Sequence, residues 1–382
     1  MLTRSVILPE SKRLESLVVL LLIVFITGCK HSITSPEETG YAADFGSVWA
    51  NYEKYYPLFS YKKVNWKESY TVYKDQFNIN MDASARDNIL SEMLSVLKDE
   101  HCYLLSPDGR VTHSYIKQVS ANDNPVFLSR LISTTNWNQE NSHWGWERNG
   151  KIGYMIFNDF FEQSIDTIAF SRAMDSLRET EGIIIDLRKH SGGNLLVCES
   201  LWNRFAGKET IVGYYLYRNG PSHDDFAPKE YVRAQPKGPW QYTKKVVVLI
   251  GKTCGSGGEI FAETFSHFDN AILVGETTRG SVVAPAEFKL PDNTVYSVPM
   301  AAYYNTNGLP LEGNGVEPDI KMNYYDPDHY NSADDLIYEY AVHYITGQKL
   351  AVKNFKADIV PHSKFYKQSG LPEVIEKAIR NF

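Results

Sequence analysis

The residues best suited to chemistry sit in residues 246–265, VVVLIGKTCGSGGEIFAETF. An apolar run of strand character ends in Gly255-Ser256-Gly257-Gly258, and a helical pattern with Glu259 in its first turn begins at once. A serine at such a junction lies where free backbone N–H groups and the positive end of a helix dipole converge. Flanking glycines let the chain turn sharply and bring its backbone close to a ligand. That setting suits a nucleophilic hydroxyl whose attack on an acyl carbon creates an oxyanion beside it. The same pattern also describes a plain helix cap, a role serine fills routinely. It is not the Gly-x-Ser-x-Gly elbow of α/β-hydrolases, because Cys254 stands in the first glycine's place. Cys254 itself reads as a small buried residue rather than a nucleophile.

Such a turn has to be held by elements on both sides. Buried strands are read at residues 152–157 (IGYMIF), 182–187 (GIIIDL), 246–250 (VVVLI) and 271–274, the middle two as unbroken β-branched runs. Helical spacing is read over 165–178, 195–205 and 259–268. This alternation of strand and helix predicts an α/β core with a largely parallel sheet, spanning 151–325. Within it, residues 286–290 and 294–302 flank Pro291-Asp292-Asn293 and predict a β-hairpin. Ahead of the core, 41–110 predicts a helical domain, with Phe45, Val48 and Trp49 opening one amphipathic stretch and Ile89, Met93, Val96 and Leu97 closing another. Its dense Tyr and Trp residues predict an aromatic helical core rather than a ligand site. Residues 111–150 read as a linker with short strands. C-terminal helices are expected in 326–382, at 332–347 and 371–381.

Four segments occur in one order: GIIIDLRKHSGGN at 182–194, the Ser256 turn with Glu259 three residues on, VGETTRG at 274–280 and LEGNGVEPD at 311–319. Together they resemble the S41 peptidases, the family of the C-terminal processing peptidases and the tricorn core peptidase. The resemblance covers about 150–325 and implies a ClpP/crotonase-like core. It places the nucleophile at Ser256 and the oxyanion donors at the N–H of Gly257 and that of Gly192 or Gly193. Processing peptidases carry a catalytic Lys after the G-x-x-T-x-G stretch, but here Ser281 follows Gly280, so a Ser–Lys dyad is not expected. The tricorn branch takes its base from a His at a helix end before a strand. LSVLKDEHCYLL at 94–105 fits that context and implies His101, with Glu100 in place of a small polar neighbour. The acidic member falls on Glu312, three residues before Gly315. His190 is the competing base, and Glu317 and Asp319 are competing carboxylates. Asp186 and Arg188 read as structural ties. The stretch between His101 and Ile152 is too short for the PDZ domain that many processing peptidases carry.

The N-terminus bears on compartment. Lys12 and Arg13 precede an apolar run at 17–26 (LVVLLLIVFI), and Gly28-Cys29 follows. This is the layout of a secretory signal peptide over 1–28, its apolar core too short to span a bilayer stably. Ile26-Thr27-Gly28-Cys29 resembles a bacterial lipobox, which implies acylation of Cys29 and a membrane held through N-terminal lipid, in a Gram-negative cell at the outer membrane. Residues 29–40 read as a polar tether. The remaining cysteines, Cys102, Cys198 and Cys254, have no metal-ligand spacing. A net charge of −7 argues against a nucleic-acid partner. The expected partner is a peptide or protein substrate, hydrolysed without metal or organic cofactor. Two other functions use the same residues: a non-catalytic binding protein on this scaffold, and an esterase or amidase acting on small molecules.

Overall fold

In the computed structural model, which describes residues 40–78, 80–135, 137–162, 164–322, 334–348 and 358–359, the apolar runs build a sheet around which everything else is arranged. The leader, Cys29 and the helix expected at 371–381 lie outside the described residues. In chain order the helices are α1 (Tyr41–Tyr55), α2 (Phe59–Lys62), α3 (Trp66–Tyr73), α4 (Ala83–Ser95), α5 (Pro125–Thr134), α6 (Thr167–Leu177), α7 (Leu195–Trp202), α8 (Gly257–Ser266) and α9 (Leu336–Thr346). The strands are β1 (Tyr103–Leu105), β2 (Val111–His113), β3 (Asn138–Gln139), β4 (Trp144–Asn149), β5 (Ile152–Phe157), β6 (Gly182–Asp186), β7 (Thr210–Tyr217) and β8 (Glu230–Ala234). They continue with β9 (Lys245–Ile250), β10 (Ala271–Gly275), β11 (Val283–Lys289), β12 (Val295–Tyr304), β13 (Ile320–Lys321) and β14 (Asp358–Ile359).

The central sheet runs β14-β13-β10-β9-β6-β5-β4-β3, parallel from β13 to β5 and antiparallel at both ends. Its parallel strands are buried on both faces, and side-chain alternation divides them between two cores. Ile183, Ile185, Val246 and Val248 face α6, α7 and α8, where Phe170, Trp202 and Phe261 pack. Ile184, Val247, Leu249 and Ile272 face α9 and α5 through Ile337, Ala341 and Leu131. Each large apolar side chain so buried contributes roughly 1.5–3 kcal/mol, which fixes the strand ends that carry the loops. The α/β class expected from strand–helix alternation is therefore the class observed.

A second sheet, β2-β1-β12-β7-β8 with β11 also paired to β12, is antiparallel throughout. The aromatic core of α1, α3 and α4 packs on it, Phe45, Tyr52 and Trp66 meeting Tyr296 and Val298. The hairpin read at 286–302 is its β11–β12 pair, longer than expected at both ends. Strands β7 and β8 were not read from the sequence. Strand β1, expected after His101, and β2, in the stretch expected to hold short strands, pair with each other, and β1 joins the sheet at β12. The stretch 111–150 also holds a helix, α5. Asn124 caps it by accepting from the N–H groups of Val126 and Phe127, and Pro125 sits at its first turn. Helix α7 ends at Trp202 and α8 opens at Gly257, each within a few residues of the expected bound.

Candidate active site

Ser256 stands between β9 and α8, at the position just before the first helical residue. Its backbone has φ 52° and ψ −124°, a conformation that L-residues seldom adopt and that costs on the order of 1–3 kcal/mol. The turn is held by two neighbours. The Ser256 N–H donates to the carbonyl of Ser281 at 2.9 Å and lies 3.2 Å from Oε2 of Glu259. Glu259 is wholly buried and also accepts from the Gly280 N–H at 2.6 Å, the Ser281 N–H at 2.8 Å and the Thr278 hydroxyl at 2.5 Å. One carboxylate thus ties the serine turn to the 278–281 loop. Burial outweighs these four donors, so the Glu259 pKa is raised. The serine hydroxyl makes no cap hydrogen bond to the helix, although Ser256 and Glu259 face each other as a capping box would.

The 191–193 loop closes on the other side of the hydroxyl. A methyl group built on Gly192 would lie 2.6 Å from Ser256 Cβ and 3.2 Å from its Oγ, so only glycine permits this approach. Gly192 and Gly193 have φ of 117° and 136°. The loop is pinned to Phe160, whose N–H donates to Gly192 O and whose carbonyl accepts from Asn194 N–H, both at 2.7 Å. The Gly192 N–H is taken, donating to Nδ1 of His190 at 3.0 Å. Among the described residues, neither Gly193 N–H nor Gly257 N–H meets an acceptor. A methyl group on Gly257 would lie 3.2 Å from Gly193 N, so these two open donors are close neighbours beside the serine. Of the two glycines implied for the second oxyanion donor, Gly193 is the one left open.

His190 is wholly buried against the Phe160 ring, their centroids 4.1 Å apart, and burial pushes its pKa down to about 3. A neutral imidazole accepting through Nδ1 fixes the loop and has no access to the cleft.

His101 follows the end of α4 and, with Ser256, lines a cleft of about 270 Å³ together with Glu100, Ser191, Arg279 and Ser281. No hydrogen bond joins the Ser256 hydroxyl to the imidazole across this cleft. Nδ1 faces inward, 3.4 Å from Ser281 Oγ and 3.6 Å from Asp99 Oδ1. Burial alone would lower the His101 pKa, but Asp99, then Glu312 and Glu259, outweigh it and raise it. Glu312 lies close by: one oxygen or ring nitrogen from each of Asp99, His101 and Glu312 falls within 4.8 Å of the others. Its two oxygens are already engaged, Oε1 by Lys62 Nζ at 2.8 Å and Oε2 by the Val282 N–H at 2.9 Å. Burial and the nearby Asp99 charge push Glu312 up to about 7 against the pull of Lys62. Burial would raise Asp99 too, yet His101 and Lys62 bring it below its ordinary value.

Asp99 and Lys62 were not singled out from sequence. A Lys at the end of a four-residue helix carries no local mark of a partner 250 residues away. Glu100, by contrast, turns outward into a two-pronged ion pair with Arg279 on the cleft wall. Glu317 joins neither group. Asp319 accepts from the Leu273 N–H at the sheet end, and Asp186 pairs with Arg188 beside Asp335, both structural ties.

Residues 151–322 match the family model of peptidase family S41. The tricorn protease homolog of Saccharolobus solfataricus is 28% identical over 269 residues, 67% of this chain and 22% of that protein. The tricorn protease of Thermoplasma acidophilum is 28% identical over 218 residues, 56% of this chain and 18% of that protein. The carboxy-terminal processing protease CtpB of Bacillus subtilis is 25% identical over 183 residues, 47% of this chain and 35% of that protein. The chain spans about a fifth of the tricorn relatives' length and about a third of CtpB's. Among solved structures, a chain from Parabacteroides merdae ATCC 43184 superposes with a TM-score of 0.72 at 21% identity, covering 81% of this chain and 98% of its own. Mature CPAF superposes with a TM-score of 0.62 at 12% identity, covering 82% and 98%. Those two likenesses show a common fold. The family match thus covers residues 151–322, and the two likenesses add a common fold over about four fifths of the chain.

Proposed function

We propose that this chain is a serine endopeptidase of the cell envelope in which Ser256 is the nucleophile, His101 the general base and Glu312 the acidic member. The observation that carries the reading is the serine itself: a strained turn sets its hydroxyl beside the open N–H groups of Gly193 and Gly257, on the cleft that His101 lines. In the reaction, Ser256 Oγ bonds to the peptide carbonyl carbon as its proton passes to His101. The carbonyl oxygen becomes an oxyanion received by the two N–H groups. The C–N bond then breaks as His101 gives the proton to the leaving amine, and water repeats the sequence to free Ser256 as the acid product leaves. Ser281, where a processing peptidase would carry its Lys, offers a hydroxyl to His101 and no second base. The basic flank, the apolar run at 17–26 and Gly28-Cys29 support anchoring by lipid on Cys29.

The test is a fluorophosphonate probe on the purified protein, followed by cleavage of an unfolded protein substrate. Labelling is expected in wild type and absent in Ser256→Ala, and His101→Ala should slow it by two orders of magnitude or more. A well-folded wild type that neither labels nor cleaves would overturn the enzyme reading in favour of a binding protein. Labelling with hydrolysis of small esters alone would favour an esterase.

A further inference from the structure

The acid and the base of the proposed site come from distant segments, and one ammonium touches both. Lys62, at the end of α2, donates to Glu312 Oε1 at 2.8 Å and to Leu97 O at 2.9 Å, and reaches Lys98 O at 3.4 Å. Leu97 and Lys98 belong to the turn that leads from α4 into Asp99 and His101, where Lys98 holds a φ of 46°. On the far side of the carboxylate, Oε2 accepts from the Val282 N–H at 2.9 Å. Glu312 is therefore held at both oxygens. Each carboxylate oxygen can accept twice, so both keep capacity for the imidazole, which lies within the same cluster. The side chains of Lys62 and Glu312 are 13% and 2% exposed, so water screens their attraction only weakly.

We propose that Lys62 is a positioning residue for the reaction, its ammonium holding Glu312 in place against the turn that carries His101. This deepens the reading of Ser256, His101 and Glu312 as a triad and rests on it. With the cation gone, Glu312 would lie buried beside Asp99 and hold a proton. A neutral carboxyl supports the imidazolium formed during attack far less than a carboxylate does. The charged and titratable groups facing Glu312 are Lys62 from α2, Tyr56 after α1, and Asp99, His101 and Cys102 between α4 and β1. Residues 151–322 hold Ser256 and Glu312 but neither His101 nor Lys62, so the helical region supplies part of the machinery.

The experiment is the fluorophosphonate labelling rate of the full chain in detergent, from pH 7 to pH 9. It compares wild type, Lys62→Met, Glu312→Gln and the double variant. At pH 7 Lys62→Met should label about tenfold more slowly than wild type, because Glu312 then holds its proton more tightly. The loss should narrow to about threefold or less at pH 9, where the carboxylate forms again. A merely loosened fold would lose rate equally at every pH. The double variant should label within about twofold of Glu312→Gln, since Lys62 acts through that carboxylate. Wild-type labelling by Lys62→Met, a loss constant across pH, or losses that multiply in full in the double variant would overturn the proposal. A wild type that does not label is a separate result, which sinks the peptidase reading itself. If Lys62→Met does not fold, Lys62→Gln, which keeps a donor and drops the charge, is read in the same way.

Discussion

The Gly192 N–H donates to Nδ1 of His190 at 3.0 Å, and through that bond a buried histidine shapes the proposed oxyanion site without touching substrate. Replacing it with an apolar residue would strand a buried donor, at a cost of about 1–3 kcal/mol, and release the loop beside Ser256. His190→Leu should therefore lower the rate of fluorophosphonate labelling by about tenfold or more, with Ser256 and His101 intact. His190→Asn, which offers an acceptor oxygen, should recover part of the loss. Equal rates in both variants and wild type would show that this bond does not set the loop.

At Gly193 there is no room for a side chain. A Cβ would fall 2.2 Å from the carbonyl carbon of Phe160, on backbone that cannot yield cheaply, and φ is 136°. Gly193→Ala is expected to abolish labelling and to lower the melting temperature as well, because the Phe160 backbone it meets belongs to the buried core beneath the loop. A melting temperature and a labelling assay on one preparation decide this.

Removing Lys62 leaves Asp99 and Glu312 buried together without their nearest countercharge. Breaking a buried ion pair on one side costs about 3–5 kcal/mol. Lys62→Met should sit near the lower end, since Glu312 can take up a proton. Urea unfolding of Lys62→Met and of Lys62→Met with Glu312→Gln provides the check. The double variant should recover most of the loss, and a loss unchanged by the second substitution would place the damage elsewhere.

Glu312 also gives stability a pH signature. Its folded-state pKa is raised to about 7 from 4.5, so the folded protein holds the proton more tightly than the unfolded chain. Its contribution is full below pH 4.5 and is lost as pH rises to about 7. Wild type should thus lose stability relative to Glu312→Gln between pH 5 and about 8, measured by denaturant midpoints. The activity limb runs on a different group. Labelling needs neutral His101, whose pKa is raised above 6.5, so the rate should fall on acidification with a midpoint above 6.5.

The turn that carries Ser256 was readable because it is local: strand, glycines, serine and helix follow one another in 246–265, and each imposes its own backbone preference. The parallel core was readable for the same reason, as unbroken apolar runs are what two-sided burial requires. Strands β7 and β8 were not, since Thr210–Tyr217 and Glu230–Ala234 are held as strands by pairing with each other and, for β7, with β12. Resemblance could point to Ser256, His101 and Glu312 but not apportion contacts among their neighbours. Whether Gly192 or Gly193 keeps an open N–H depends on where the His190 ring falls, and the gathering of Asp99, Glu312 and Lys62 beside His101 depends on the packing of the helical region against the core. Those distances arise only when segments far apart in the chain are packed against one another. The sequence by itself determined the chemistry on offer, and the tertiary structure decided which groups remain free to perform it.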